Sequence, residues 1–302
     1  MCYEDMSVAY MNIAIVKYWG KKEYSPYLIP LVPSISYRAE HLYTKTKIIL
    51  STKDEFYLND TLQDEKESEK IFSYVDKIIP NRTQKIKIVS YNIMPTAAGL
   101  ASSSSAYSAL IMELNKFFSL NLSINEMAKL ASIGSGSAGR SFYNLSAFDE
   151  KGEIYELHTN LNLKMAAIIL SSSKKSISSR KAMELCVKTS PIIDEWVKIG
   201  KKSFEDMKIA LKNDDFDLIG KIMETNTMFM HKTMITSTPS FTYLTDESYE
   251  CIEYIKKLRL NGLRVYFTTD AGSNVKVLYL KEDEEEVMKK LKDKYKEKVV
   301  KC

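Results

Sequence analysis

The sequence predicts an α+β fold divided into two domains, and three observations predict it. A chain of 302 residues is longer than one hydrophobic core usually fills. Its first half alternates short strand-like and helix-like segments. Its second half runs into long helical patterns, followed by two further strand patterns and a charged terminal helix.

In chain order, residues 7–19, 45–51 and 55–59 read as strands and residues 65–79 as a helix. Residues 85–91, KIKIVSY, alternate polar and apolar as a half-buried strand does. Residues 95–105, PTAAGLASSSS, then lead straight into a helix of roughly 16 residues beginning near Ser102, because Ala106, Leu110, Leu114 and Phe117 recur at spacings of three and four. Small residues at that helix start let the main chain approach an anion, which unpaired N–H groups and the helix dipole favour; a serine-capped helix after a structural turn has the same pattern. No GKS or GKT follows the glycine, so the run is not a Walker A loop.

Ser123 and Glu126 have capping-box spacing for a second helix that stops near Gly134. A second small-residue loop, GSGSAGRS, covers residues 134–141. Residues 153–158 and 164–170 read as strands, the latter apolar enough to lie centrally in a sheet. The polar stretch SSSKKSISSR from Ser171 marks a domain boundary, giving domains 1–172 and 173–302. Ser190 and Pro191 read as the cap and first residue of a helix through about Lys212, residues 214–232 form another, and Pro239 breaks the pattern. A helix over 245–260, a strand over 264–269, the turn DAGSN, a strand over 275–280 and the terminal helix complete the chain.

Composition narrows the function classes. The content of 45% hydrophobic and 27% charged residues fits a globular protein, and a net charge of +4 tolerates anionic ligands without implying nucleic acid. No basic tract interleaved with aromatics supports a nucleic-acid role, and no apolar run approaches the roughly 18 residues that span a bilayer. The N-terminal MCYEDMSVAY lacks the basic and apolar segments of a signal peptide. Cys2, Cys186, Cys251 and Cys302 are scattered, which favours a reducing cytoplasm. His41, His158 and His231 are too separated for a histidine-rich metal site, and His231 has the setting of a packed side chain.

Four polar clusters sit at strand ends or in loops: residues 12–22 (NIAIVKYWGKK), PTAAGLASSSS, GSGSAGRS and residues 268–277 (TTDAGSNVKV). Lys17 is either a surface lysine or a cation presented beside large aromatics. Asp270 is either a turn aspartate bonded to its own backbone or a strand-end carboxylate able to orient a substrate hydroxyl or take its proton. Arg140, surrounded by glycine, serine and alanine, either braces its loop or offers a fork of donors to a carboxylate or phosphate.

Taken together the clusters resemble the diphosphomevalonate decarboxylases of the GHMP kinase superfamily. The resemblance runs through NIAIVKYWGKK, PSIS (33–36), SYNIMPTAAGLASS, IGSGSAGRS, KKSISSR (174–180), HKTMITSTPSFTYL (231–244) and TTDAGSNVKVL, in that order over nearly the whole chain. It implies a ribosomal-protein-S5-domain-2-like N-terminal domain, a ferredoxin-like C-terminal domain, a homodimer, and a small-molecule site between the domains. It implies ATP and Mg²⁺, phosphorylation of the 3-hydroxyl of (R)-mevalonate 5-diphosphate, and loss of phosphate and carbon dioxide to give isopentenyl diphosphate.

By resemblance, Asp270, Lys17 and Arg140 match the catalytic positions, with Arg140 also on the substrate carboxylate. The substrate-binding positions are Tyr18, Trp19, Gly20, Lys21, Ser135, Gly136, Ser137, Ala138, Gly139, Ser179 and Arg180. The nucleotide positions are Ser90, Asn92, Pro95, Gly99, Leu100, Ala101, Ser102 and Ser103, with Ser103 also offered to the metal. Two alternatives stay open here: a mevalonate 3-kinase of the same fold that does not decarboxylate, and a non-catalytic nucleotide-binding paralogue.

The chain departs from the family pattern in three places. Asn144 and Leu145 stand where the family has two glycines, so a positive φ there would strain Leu145 more than Asn144. Val32 and Pro33 replace an asparagine-rich segment before SIS, and Ser273 replaces a proline. None removes a group assigned to chemistry, so an active enzyme is expected.

Overall fold

The computed structural model describes residues 5–22, 28–93, 103–171 and 177–302. The main chain builds two sheets with helices packed on both, the α+β architecture expected from the sequence. In the first sheet, β1 (Ser7–Val16), β2 (Ser34–Leu50), β3 (Glu55–Leu58), β4 (Thr61–Leu62), β5 (Ile86–Ile93), β6 (Leu145–Phe148) and β7 (Ile154–Glu156) run in the order β4-β3-β5-β2-β6-β7, with β1 also on β2.

β2 is longer than the sequence pattern over 45–51 suggests. Its first residues, Ser34 to Tyr37, pair with β6 and its last, Tyr43 to Leu50, with β5, while β1 runs alongside both stretches. A register break opposite Tyr10 and Met11 separates the two pairings, and such an irregularity lets one strand change partners. The expected strand over 7–19 ends at Val16, so residues 17–20 leave the sheet. Gly20, at φ +105°, turns the chain there in a conformation few other residues adopt.

The helices α1 (Glu65–Ile78), α2 (Ser103–Phe117) and α3 (Ile124–Gly134) cover one face of this sheet. Leu110, Ile111 and Leu114 of α2 pack with Ile48, Ile86 and Ile88 of the strands. Asp64 caps α1, and the capping box between Ser123 and Glu126 is formed at α3.

In the second sheet, β8 (Leu163–Ile168), β9 (Tyr266–Thr269), β10 (Val275–Leu280) and β11 (Val299–Lys301) lie in the order β11-β8-β10-β9, with every pairing antiparallel. The change of sheet can be set beside the expected domain boundary after residue 172. β8 hydrogen-bonds to β10 and β11, so the change of sheet falls between Glu156 and Leu163. Of the polar run from Ser171, residues 172–176 lie outside the described residues.

The remaining helices are α4 (Ser179–Thr189), α5 (Ile193–Lys212), α6 (Phe216–Ile235), α7 (Asp246–Leu260) and α8 (Glu284–Tyr295). Ser178 caps α4, and Ser190 closes that helix instead of starting the next one, which begins at Ile193. The core is shared by both sheets: Met11, Ile13, Ile15 and Ile35 pack with Met165, Ala167, Leu278 and Leu280, and with Phe204, Met207, Ile219 and Met223 of α5 and α6. Burial of this kind contributes about 1.5–3 kcal/mol per large apolar side chain, and it fixes the end of β1 against the end of β9.

Asn144 and Leu145 are accommodated without strain. Neither has a positive φ. Leu145 opens β6 opposite Tyr37, and the Asn144 carbonyl accepts the Arg38 N–H at 2.9 Å. With φ negative at both positions, the missing glycines impose no left-handed backbone strain here.

Candidate active site

Residues 17–20 leave β1 beside the ends of β9 and β10, where a cavity of about 680 Å³ opens. Lys17, Tyr18, Trp19, Lys21, Ser103, Ser135, Gly136, Ser137, Arg140, Ser179, Arg180 and Asp270 all line it. Two helix starts also face it, through Ser103 and Ser104 of α2 and through Ser178 and Ser179 at α4. Helix N-termini present unpaired N–H groups to anions.

Asp270 follows β9 and is held between two ammonium groups. Lys17 Nζ donates to Oδ1 at 2.8 Å, and Lys276 Nζ lies 2.9 Å from Oδ2. Lys17 Nζ also donates to the Ala14 carbonyl at 2.7 Å, so the lysine folds back along its own strand. It is 1% exposed, whereas the Asp270 side chain is 43% exposed toward the cavity. Burial pushes the Lys17 ammonium down to about 8, aided by Lys276 and Arg140 and opposed by Asp270. For Asp270, burial favours the neutral acid, but the two lysines outweigh it and hold the carboxyl well below the usual carboxylate range.

Arg140 comes from a short 3-10 turn, Ala138–Ser141, after α3. Its Nε donates to Ser36 Oγ at 2.8 Å and its Nη1 to the Gly136 carbonyl at 3.4 Å. The guanidinium lies 5.3 Å from the Tyr18 ring centroid and 5.9 Å from that of Phe148. Burial lowers its pKa to about 10, which leaves it charged at neutral pH. A guanidinium pinned at Nε has little orientational freedom left to lose when it binds a carboxylate. Gly136 suits the same crowding, since a Cβ there would stand 2.8 Å from Tyr18 Oη and 2.9 Å from a Leu28 methyl and would push these side-chain ends aside.

Further polar contacts fix the surroundings. Asn12 Nδ2 donates to the Ser137 carbonyl and to Ser141 Oγ, each at 2.9 Å. The Trp196 indole donates to the Trp19 carbonyl at 2.9 Å. Behind Asp270, His231 Nε2 pairs with Thr269 Oγ1 at 2.7 Å, and burial with the nearby Lys17 pushes the imidazole down to about 3.

Not every residue expected in the site lies on this wall. Gly20, Ala138 and Gly139 stand behind the lining. Ser90 and Asn92 are on β5, away from the cavity: Ser90 pairs with Thr46, while Asn92 accepts from Thr44 and its backbone N–H donates to Asn59. Pro95, Gly99, Leu100, Ala101 and Ser102 lie outside the described residues.

Sequence reasoning singled out neither Lys276 nor Ser36, Lys70, Met183, Met230 and Asn226. Lys276 carried a signal: it is a lysine inside the apolar strand VKVLYL, and it is almost wholly buried. The lining is strongly cationic, with Lys17, Lys21, Lys70, Arg140, Arg180 and Lys276 against the single acid Asp270 among the described residues. Such a wall concentrates a polyanion. Met183, Met230, Trp19 and Ala271 add an apolar side. A small, multiply charged ligand with an apolar patch fits this distribution.

Comparison with known proteins agrees. A family model for the diphosphomevalonate decarboxylase-like N-terminal domain matches residues 9–156, and one for the mevalonate 5-diphosphate decarboxylase C-terminal domain matches residues 165–301. The diphosphomevalonate decarboxylase of Debaryomyces hansenii is 32% identical, covering 95% of this chain and 82% of that protein. That of Saccharomyces cerevisiae is 30% identical, covering 93% and 79%. The solved mevalonate pyrophosphate decarboxylase from Streptococcus pyogenes superimposes with a TM-score of 0.92 at 39% identity, over 98% of this chain and 95% of that one. A structure described as MDDEF in complex with MVAPP, AMPPCP and magnesium superimposes at 0.91 with 33% identity, over 97% and 94%.

Proposed function

This chain belongs to the diphosphomevalonate decarboxylase family, and from that premise we propose that it converts (R)-mevalonate 5-diphosphate and ATP into isopentenyl diphosphate, ADP, phosphate and carbon dioxide. The observation that carries the proposal is the convergence of Asp270, Lys17 and Arg140 on one cationic cavity, on an architecture shared with solved decarboxylases.

The 3-hydroxyl of the substrate is tertiary, a poor nucleophile and a worse leaving group, so it must be aligned with the donor and converted into a phosphate ester. Asp270 orients that hydroxyl. Clamped by two ammonium groups it is a weak base, so it accepts the proton late, as the new P–O bond forms and the hydroxyl oxygen becomes acidic. Arg140 holds the C1 carboxylate, which fixes the C1–C2 bond. When the C3–O bond breaks, the electrons of C1–C2 form the C2=C3 double bond and carbon dioxide leaves. Lys17 offsets the charge on the departing phosphate. Tyr18, Lys21, Ser137, Ser179 and Arg180 would grip the diphosphate and carboxylate.

In the proposed arrangement the ATP phosphates would sit at the start of α2, with residues 95–103 as the nucleotide-binding segment and Ser90 and Asn92, which do not line the cavity, on the strand that leads into it. The lining suits Mg²⁺ held chiefly by phosphate oxygens: no cluster of three His, Cys, Asp or Glu side chains occurs among the described residues, and Ser103 offers a hydroxyl at the cavity. When bound, the ion neutralises charge between the phosphates. The proposed homodimer is supported by the family resemblance alone, and sedimentation checks it. A cytoplasmic setting is supported by Cys186, Cys251 and Cys302, which are free and buried; no helix among the described residues is long and apolar enough to cross a membrane.

Incubation with ATP, Mg²⁺ and substrate labelled at C1 tests the reaction. Labelled carbon dioxide and ADP are expected in equal amounts. ADP without carbon dioxide would convict the kinase alternative instead.

A further inference from the structure

Lys17 is the first residue beyond β1, so its backbone N–H has no strand partner. That N–H is buried and donates to Asn226 Oδ1 at 2.7 Å, across 209 residues of sequence. Asn226 sits on α6, wholly inaccessible, and its Nδ2 finds no hydrogen-bond partner among the described residues. An amide half unsatisfied in the interior is costly, so the carbonyl half must matter more than packing, which an apolar side chain of similar size would serve. The neighbouring face of α6 grips the strand that leads to Asp270: Thr227 Oγ1 lies 2.8 Å from Thr268 Oγ1, and His231 Nε2 lies 2.7 Å from Thr269 Oγ1. One helix therefore holds both Lys17 and the two residues before Asp270, groups that the fold draws from opposite ends of the chain.

We propose that Asn226 is a positioning residue: by accepting the Lys17 N–H, its side-chain carbonyl sets where the Lys17 ammonium stands relative to Asp270 and the reacting phosphate. The inference rests on the decarboxylase reading above.

Asn226→Leu removes the acceptor while keeping the branched outline of the side chain, at the cost of bulkier methyl groups, and Asn226→Asp keeps the acceptor. For Asn226→Leu, kcat is expected to fall about 10- to 100-fold, the scale of an ångström's misplacement, with KM for mevalonate diphosphate within about threefold. Asn226→Asp should recover most of the loss. A purely structural role would not move the alkaline limb of kcat/KM, to which Lys17, its pKa lowered by burial, is expected to contribute in the free enzyme. Asp270 raises the Lys17 pKa, while Lys276 and Arg140 lower it. A Lys17 displaced from Asp270 therefore gives a limb below about 8 in Asn226→Leu. Amide exchange at Lys17 should also quicken. Should Asn226→Leu be insoluble, Asn226→Ser, too short to reach the amide, is measured in the same way.

Unchanged kcat and limb in a folded Asn226→Leu, or Asn226→Asp no better than Asn226→Leu, would overturn the inference. A wild-type chain that releases no carbon dioxide would sink the decarboxylase reading itself.

Discussion

Lys276→Met isolates the second cation on Asp270. The ammonium lies 2.9 Å from Oδ2, a separation worth about 6 kcal/mol at an effective dielectric constant near 20 and about 1.4 kcal/mol in water. Because the Asp270 side chain is 43% exposed to the cavity, water screens much of this and about 2 kcal/mol is the appropriate scale. Methionine fills nearly the same volume, so packing around β10 is retained. Asp270 stays ionised through Lys17 but is held at one oxygen only. The expected result is a 10- to 30-fold fall in kcat/KM, the fold-change that about 2 kcal/mol allows.

The pH profile gives a second, signed readout of the same variant. Lys276 is a like charge that depresses the Lys17 pKa, which stands at about 8. Its removal raises that pKa, so Lys17 stays charged to higher pH and the alkaline limb of kcat/KM moves upward. Coupled ADP release and trapped carbon dioxide, measured from pH 6 to 10, read both effects. A folded variant with unchanged kcat/KM, or with the limb moved downward, would refute the clamp.

Three other outcomes follow from the same geometry. Asp270→Asn should lose several orders of magnitude in turnover while keeping diphosphate binding, since it removes the proton acceptor and leaves the cationic wall in place; isothermal titration with kinetics tests both halves, and a modest loss of turnover would count against the role. Arg140→Lys replaces a pinned fork by a point charge, so kcat/KM should drop about 100-fold and carbon dioxide should fall behind ADP; coupling kept at one to one would contradict the carboxylate assignment.

His231→Gln tests the buried imidazole. Its folded pKa lies near 3 against an ordinary 6.5, so the unfolded chain takes up a proton that the folded chain refuses. Stability is therefore undiminished above pH 6.5 and falls as pH drops below it, by about 2–3 kcal/mol at pH 4.5. The glutamine variant should show a flatter thermal midpoint across this window, and parallel curves for the two proteins would dismiss the idea.

The fold class was legible because alternation and helical spacing survive wherever an element has one wet face. It failed where both faces are dry. Ser34 to Tyr37, at the start of β2, and all of β6 are buried throughout, so burial does not follow the short serine alternation of SISY, and four residues are too few for a period-two pattern to stand out. That β8 joins the second sheet was not legible for a different reason. Its neighbours in sequence belong to the first sheet, but its hydrogen bonds go to strands more than 100 residues later, and no local pattern records that. Lys17, Tyr18, Arg140 and Asp270, which line one cavity, stood out in the sequence because each lies in a loop or at a strand end within a motif of the resemblance. Asn226 was not, since a polar residue on a mostly buried helix looks the same whether it holds a backbone group or only fills space.

The charge arrangement also bears on when the substrate proton moves. An unassisted base that removed a proton from a tertiary alcohol before phosphoryl transfer would need a pKa near neutrality, as burial alone would give an isolated carboxyl. This fold does the reverse by placing two buried ammonium groups on one carboxylate. The same two cations suit a site in which negative charge gathers on a phosphoryl group passing between oxygens. In the proposed mechanism Asp270 would serve first as an anchor for the lysines and the hydroxyl, and as a proton acceptor only once the forming P–O bond had made the proton acidic. On that order of events, weakening the clamp makes Asp270 a stronger base yet a poorer catalyst, which is why Lys276→Met is expected to slow the enzyme and not to speed it.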